Sequence, residues 1–185
     1  MEPSRTDFRP GLMSINQWAP CGRPGDVSVM PESLDELHRE ILMEHYRFPR
    51  GKDPIDNPDL AGEGKNISCG DEVDVQVRLD GETVKNIGVH CAGCAIAIAS
   101  GSMMAELVEG KSLIEVKKIA AAVRAVLTGE EPDEKIDVGD LRALEGIRKY
   151  PVRVRCALLA WTALIEAIET HDRGAHDRTR APEGK

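Results

Sequence analysis

The apolar and polar positions of this chain switch period twice. Leu34, Leu37, Ile41, Leu42 and His45 recur at helical spacing, and Ser33 with Glu36 makes the Ser-x-x-Glu signature of a helix start. Pro49 and Gly51 end that helix, and Pro54 and Pro58 keep the next stretch extended. From Val73 to Leu79 the pattern becomes alternation. It repeats less cleanly from Val84 to Val89, with Asp80-Gly81 between, which predicts a β-hairpin. A third strand is expected over Leu60 to Lys65, although Gly62 and Gly64 weaken the pattern there. After Cys94 the helical period returns. It predicts an Ala- and Met-rich helix over Ala95 to Val108, ending at Gly110. A second helix is opened by Ser112 and Glu115, striped by Val116, Ile119, Val123 and Leu127, and closed by Gly129. Leu141 to Ile147 predicts a short helix. Pro151 then reads as a break, and Cys156 as the opening of a last helix striped by Leu158, Trp161, Leu164, Ile165 and Ile168.

This order of elements is α+β with segregated parts: a small antiparallel sheet of about three strands packed against helices. Residues 1–30 carry several prolines and glycines without periodicity and read as a disordered tail. Residues 31–170 form the domain, and the polar residues 171–185 read as a second tail. Aromatic residues are only 3% of the chain, so the core must be built from Leu, Ile, Val, Ala and Met. The net charge of −8 argues against binding a nucleic-acid backbone, which needs a basic face. No apolar run approaches the roughly 20 residues that span a bilayer, and the N-terminus lacks an apolar export signal. A cytoplasmic protein is therefore expected.

The chain has 5 cysteines, an odd number, which in a reducing compartment reads better as ligands or reactive thiols than as a disulfide framework. Cys21, in the N-terminal tail, reads as an incidental thiol. Cys69 lies in Ser68-Cys69-Gly70-Asp71, just before a predicted strand. Cys94 follows Gly93, and Cys156 follows Arg155, each at a predicted helix start. A helix N-terminus favours a thiolate. Asp71 stands two residues from Cys69 and could reach the same ion along an extended segment. Three sulfurs and one carboxylate would suit zinc or an iron–sulfur cluster. Their spacing matches no zinc-finger pattern, so separately buried thiols and a turn aspartate remain open as a reading. Cys91-Ala92-Gly93-Cys94 is also a C-x-x-C, which reads as a redox dithiol, half a zinc knuckle, or a spare thiol beside the site. Alternation points His90 away from Cys91, and the histidines read as packed or solvated residues.

Taken in order, these patches resemble the U-type iron–sulfur scaffold proteins, closer to the SufU branch than to the IscU branch. The resemblance covers roughly Pro31 to Thr170. It rests on Glu44 to Gly51, Ser68 to Asp71, Gly93 to Ile96 with Ala99 to Met104, and Pro151 to Trp161. A long stretch between Cys94 and Cys156 favours the SufU branch. So does Arg155, where the IscU branch carries histidine; arginine has no lone pair to offer a metal. Cys91 departs from the family, which usually has glycine there. The resemblance implies a SufE/IscU-like fold and a role in iron–sulfur cluster assembly beside a pyridoxal-phosphate (PLP) cysteine desulfurase of the SufS type, ahead of recipient or carrier proteins. It implies zinc held by Cys69, Asp71, Cys94 and Cys156, with Cys69 as persulfide acceptor swinging off when the partner docks. The alternatives on the same residues are a [2Fe–2S] scaffold and a non-catalytic zinc-stabilised binding module. Arg155 and Cys91 are the accessory candidates. Whether the protein counts as an enzyme, in the sense of a sulfurtransferase, stays open at this stage.

Overall fold

A computed structural model describes residues 33–179, with side chains through 173. The tail expected over 1–30, with Cys21, lies outside the described residues. Helix α1 spans Leu34–Arg47, and the side chain of Ser33 caps it by accepting the Glu36 N–H. Strands β1 (Leu60–Asn66), β2 (Asp71–Asp80) and β3 (Thr83–Ala92) form one antiparallel sheet in the order β1-β2-β3. Helices α2 (Ala95–Val108) and α3 (Leu113–Thr128) follow, then a 3-10 helix over Gly139–Lys149 and α4 over Pro151–Thr179. The expected α+β class and the three strands are what the chain forms.

Register sorts the strand residues by face. Val73, Val75 and Val77 stand opposite Cys91, Val89 and Ile87 on the buried side, and Asp74 stands opposite His90 on the other. Helix α4 crosses the inner face against β1, which explains the two glycines that weakened that strand in the sequence. A Cβ at Gly62 would run into the Ala163 carbonyl, and one at Gly64 would press on Leu159 at 3.1 Å. The missing side chains let helix and strand approach. Helix α2 runs through the middle and is buried over nearly its whole circumference, from Ala97 to Ala105. That burial is why its sequence is small and apolar rather than amphipathic.

Helix α3 has the full reciprocal capping box between Ser112 and Glu115, and Gly129 ends it at φ +85°. The segment 139–149 winds as a 3-10 helix and buries Leu141, Leu144 and Ile147, one residue per three-residue turn.

Three expectations need correcting. Leu34 is 66% exposed and Leu37 39%, so the first half of α1 does not pack; the stripe becomes buried only toward His45. Pro151 starts α4 instead of breaking the chain, because a first helical position needs no N–H. Cys156 therefore sits in the second turn. Third, α4 runs on to Thr179, through the segment expected as tail, and Lys117 of α3 pairs with its Asp172 at 2.5 Å.

His45 is the buried joint between α1, α2 and the 3-10 helix. Its Nδ1 lies 2.8 Å from Ser102 Oγ and its Nε2 lies 3.2 Å from Asp140 Oδ2, while Ser102 Oγ also accepts the Arg50 N–H at 2.8 Å. A ring carrying its hydrogen on Nε2 satisfies both contacts. His45→Ala is expected to cost about 1–3 kcal/mol for the buried hydroxyl left without its partner. A lowered urea midpoint at unchanged slope would register that loss.

Candidate metal and sulfur site

The turn between β1 and β2 displays Cys69. Asn66 organises it: its backbone carbonyl accepts the N–H groups of Cys69 (3.2 Å) and Gly70 (2.8 Å), and its side-chain Oδ1 accepts that of Ser68 (3.1 Å). Gly70 closes the turn at φ +72°, a conformation that costs glycine little. Ile67 at the tip is 98% exposed, and Cys69 is exposed beside it. Asp71 then turns inward as the first residue of β2 and is 1% exposed. Cys69 and Asp71 thus meet through a glycine turn, not through the extended i, i+2 geometry expected from sequence.

Cys156 reaches the same place from α4. Its Sγ lies 3.1 Å from Cys69 Sγ, and one ligand atom each from Cys69, Asp71 and Cys156 lie within 4.8 Å of one another. Cys94, the N-cap of α2, joins from the far side. Its N–H donates to Asp71 Oδ1 at 2.8 Å, and its Sγ lies 3.6 Å from Asp71 Oδ2. Three of the four expected side chains, Cys69, Asp71 and Cys156, therefore converge, while Cys94 stands outside that set and reaches it through Asp71. A carboxylate at a helix N-terminus is favourably placed, which helps hold Asp71 there.

Gly93 makes room for that carboxylate. A Cβ at residue 93 would stand 2.5 Å from Asp71 Oδ1 and 2.8 Å from its Cβ and Cγ.

The electrostatics differ from the sequence expectation of lowered thiol pKa values. Burial pushes the Cys156 thiol well above the ordinary range, and hydrogen bonds with Asp71, Cys69 and Cys94 push the same way. A helix N-terminus cannot offset this, because Cys156 stands past the first turn. Burial likewise pushes Cys91 up to about 11, with the charges of Asp71 and Cys94 adding to it. Thiols and a carboxylate crowded out of water are uncomfortable as anions on their own. They form a fitting donor set for a soft dication, whose charge would reverse that penalty. Asn66, buried beneath the turn, gives its Nδ2–H to Cys156 Sγ at 3.4 Å, a contact suited to a sulfur bearing negative charge.

Asn66 was missed in the sequence. Its only signal is an asparagine at a strand end, which by itself marks a turn. Of the accessory candidates, Cys91 is half-buried at the end of β3, three residues before Cys94, while Arg155 is exposed on α4 beside Cys156.

Comparison with known proteins fits this geometry. The family described as the NifU-like N-terminal domain matches residues 37–157. The zinc-dependent sulfurtransferase SufU of Bacillus subtilis strain 168 is 34% identical over 142 residues, covering 77% of this chain and 96% of its own. The iron–sulfur cluster assembly scaffold protein IscU of Streptococcus pyogenes serotype M1 is 32% identical over 143 residues, covering 77% and 89%. Among solved structures, a candidate SUF-system scaffold protein from Fervidobacterium islandicum AW-1 superposes with a TM-score of 0.65 at 33% identity, covering 69% of this chain and 93% of that one.

Proposed function

Because the chain belongs to the NifU-like N-terminal domain family, we propose that it is an iron–sulfur cluster assembly protein that binds zinc and accepts persulfide sulfur from a cysteine desulfurase. The observation that carries this reading is the exposed Cys69 thiol 3.1 Å from the buried Cys156 sulfur, on the edge of a cluster centred on Asp71. Asp71, Cys94, Cys156 and Cys69 would hold the ion. Bound zinc keeps its thiol ligands deprotonated and undergoes no redox change itself.

The division of labour follows from exposure. Cys69 sits on a glycine turn that solvent and a partner can reach, so its sulfur is the one to receive cargo. Its thiolate attacks the terminal sulfur of the desulfurase persulfide. A Cys69 Sγ–S bond forms, the donor's S–S bond breaks, and the donor cysteine leaves as thiolate. Cys156, Asp71 and Cys94 are held by α4, β2 and the start of α2, so they stay in place while Cys69 moves. Arg155, exposed beside Cys156, can meet negative charge on the incoming partner.

A second reading uses the same donors to hold a nascent [2Fe–2S] cluster for transfer to recipient or carrier proteins. The similarity to a scaffold protein from Streptococcus pyogenes favours keeping it. Four free thiols among the described residues suit a reducing compartment such as the cytoplasm.

The test pairs metal analysis of the purified protein with an assay of a PLP-dependent desulfurase, run with and without the chain. About one zinc per chain and faster sulfur release are expected. Zinc and a stable fold with no effect on any desulfurase would leave only a zinc-stabilised binding module. A separate expectation concerns Gly93→Ala. The added methyl displaces Asp71, so metal content should fall well below that of the unaltered protein while the circular dichroism spectrum stays the same.

A further inference from the structure

Exposure decides which sulfur a partner can reach. It does not decide which sulfur lets go of the ion. Cys69 Sγ and Cys156 Sγ lie 3.1 Å apart, so a feature of the site must make one the fixed ligand and the other the exchangeable one. Asn66 ends β1 beneath both and is 8% exposed. Its Oδ1 accepts the Ser68 N–H at 3.1 Å, and its backbone carbonyl accepts the N–H groups of Cys69 and Gly70. A backbone N–H can only donate, so the side-chain oxygen is committed to the turn. The Nδ2–H is left facing Cys156 Sγ, at 3.4 Å. One residue therefore holds the Cys69 turn by its oxygens and the Cys156 sulfur by its nitrogen.

We propose that Asn66 is the positioning residue that makes Cys156 the fixed sulfur ligand and leaves Cys69 as the one that exchanges. This assignment rests on the zinc and sulfur-transfer reading and adds the reason why the ligand set opens at Cys69. The two sulfurs differ in what can stabilise them as anions. Cys69 is exposed, so water solvates its thiolate whenever it leaves the ion. Cys156 is 2% exposed, and water cannot do the same there. The Cys69 thiol and the Asp71 carboxylate beside it bring no positive charge. Asn66 brings an N–H donor, and an N–H bond to a charged acceptor is among the stronger kind. Without that donor the Cys156 sulfur is a buried anion short of a partner. Such a group takes up a proton instead, and a protonated thiol is no longer a ligand.

Asn66→Ser in the full-length protein separates the two contacts. The serine oxygen can still accept the residue 68 N–H, because serine makes the same side-chain turn as asparagine. It is too short to bring a donor to Cys156. The variant should keep the circular dichroism spectrum and a zinc-free melting temperature close to those of the unaltered protein. Its zinc affinity, measured by competition with a chromophoric chelator, should fall at least about ten-fold. With cobalt(II) in place of zinc, its sulfur-to-metal charge-transfer absorption should lose the intensity of one thiolate. A residue that only shaped the turn would leave both readouts at the unaltered level, and that result would overturn the proposal. A measurement on the unaltered protein does not depend on how the variant folds. In nitrogen-15-labelled protein, the Asn66 side-chain amide proton should move downfield when zinc is added. An amide signal that stays in place would overturn the proposal as well. Failure of the sulfur-transfer reading looks different. A protein that binds zinc more tightly than its Asn66→Ser variant, yet leaves a desulfurase unaffected, would sink that reading and leave this one standing.

Discussion

Cys69→Ala should fold normally and fail to raise desulfurase output above the rate of the desulfurase alone. The two halves of this expectation come from the same turn. Cys69 is exposed, and the turn is held by Asn66 and by Gly70 at φ +72°, none of which needs the sulfur. In the metal-free protein, truncating an exposed side chain of this kind typically shifts stability by no more than about 0.5 kcal/mol. Chemically, nothing replaces it. Cys156 is buried at 2% exposure and Cys94 is tied to Asp71, so neither can meet a partner's persulfide first. Metal binding should weaken without vanishing, because Asp71, Cys94 and Cys156 remain. Cys156→Ala should behave in the opposite way, losing metal and stability together, since it empties a buried position under the turn. A Cys69→Ala protein that stimulated the desulfurase at full strength would remove this residue from the chemistry.

Stripping the metal should be the second large effect. The four donors come from the β1–β2 turn, β2, the start of α2 and α4, so one ion would tie together most of the fold. At free metal about a thousand times its dissociation constant, binding contributes about 4 kcal/mol. Chelation should therefore lower Tm by roughly 10 °C for a domain of this size. The pH dependence has a definite sign. Metal and protons compete for the sulfurs, and burial favours the protonated Cys156 thiol, so metal should be lost as pH falls. In the metal-free form the raised Cys156 thiol works the other way. Its contribution is complete below the ordinary thiol value of 9.0 and is lost as pH rises beyond it. Thermal melts with and without chelator across pH would show both trends. A chelated protein that melts at the same temperature would mean that no ion holds these elements.

Much of this architecture was readable from local rules. The Ser112–Glu115 box, the alternation across β2 and β3, and the limits of α2 depend on neighbours a few residues apart, and they appear where the chain predicts them. What failed depended on tertiary context. Leu34 and Leu37 have helical spacing, but no element among the described residues covers them. Pro151 signals either a stop or a start, and only the following residues inside α4 decide which. The glycines of β1 looked like defects until α4 crossed them. In the site, the cysteines and Asp71 were visible as residue types, and the resemblance to U-type scaffolds singled them out. Asn66 beneath Cys156, the Gly93 gap that admits Asp71, and the burial that raises the Cys156 thiol all require knowing which strand end meets which helix.

X-ray absorption at the zinc edge, on the protein as purified, addresses the shared donor set most directly. Three sulfur neighbours near 2.3 Å and one oxygen near 2.0 Å per zinc are expected, with the sulfur number falling to two in Cys69→Ala. A zinc shell of nitrogen and oxygen alone, or one unchanged by substitution of both Asp71 and Cys69, would contradict the idea that residues 69, 71, 94 and 156 serve a single ion.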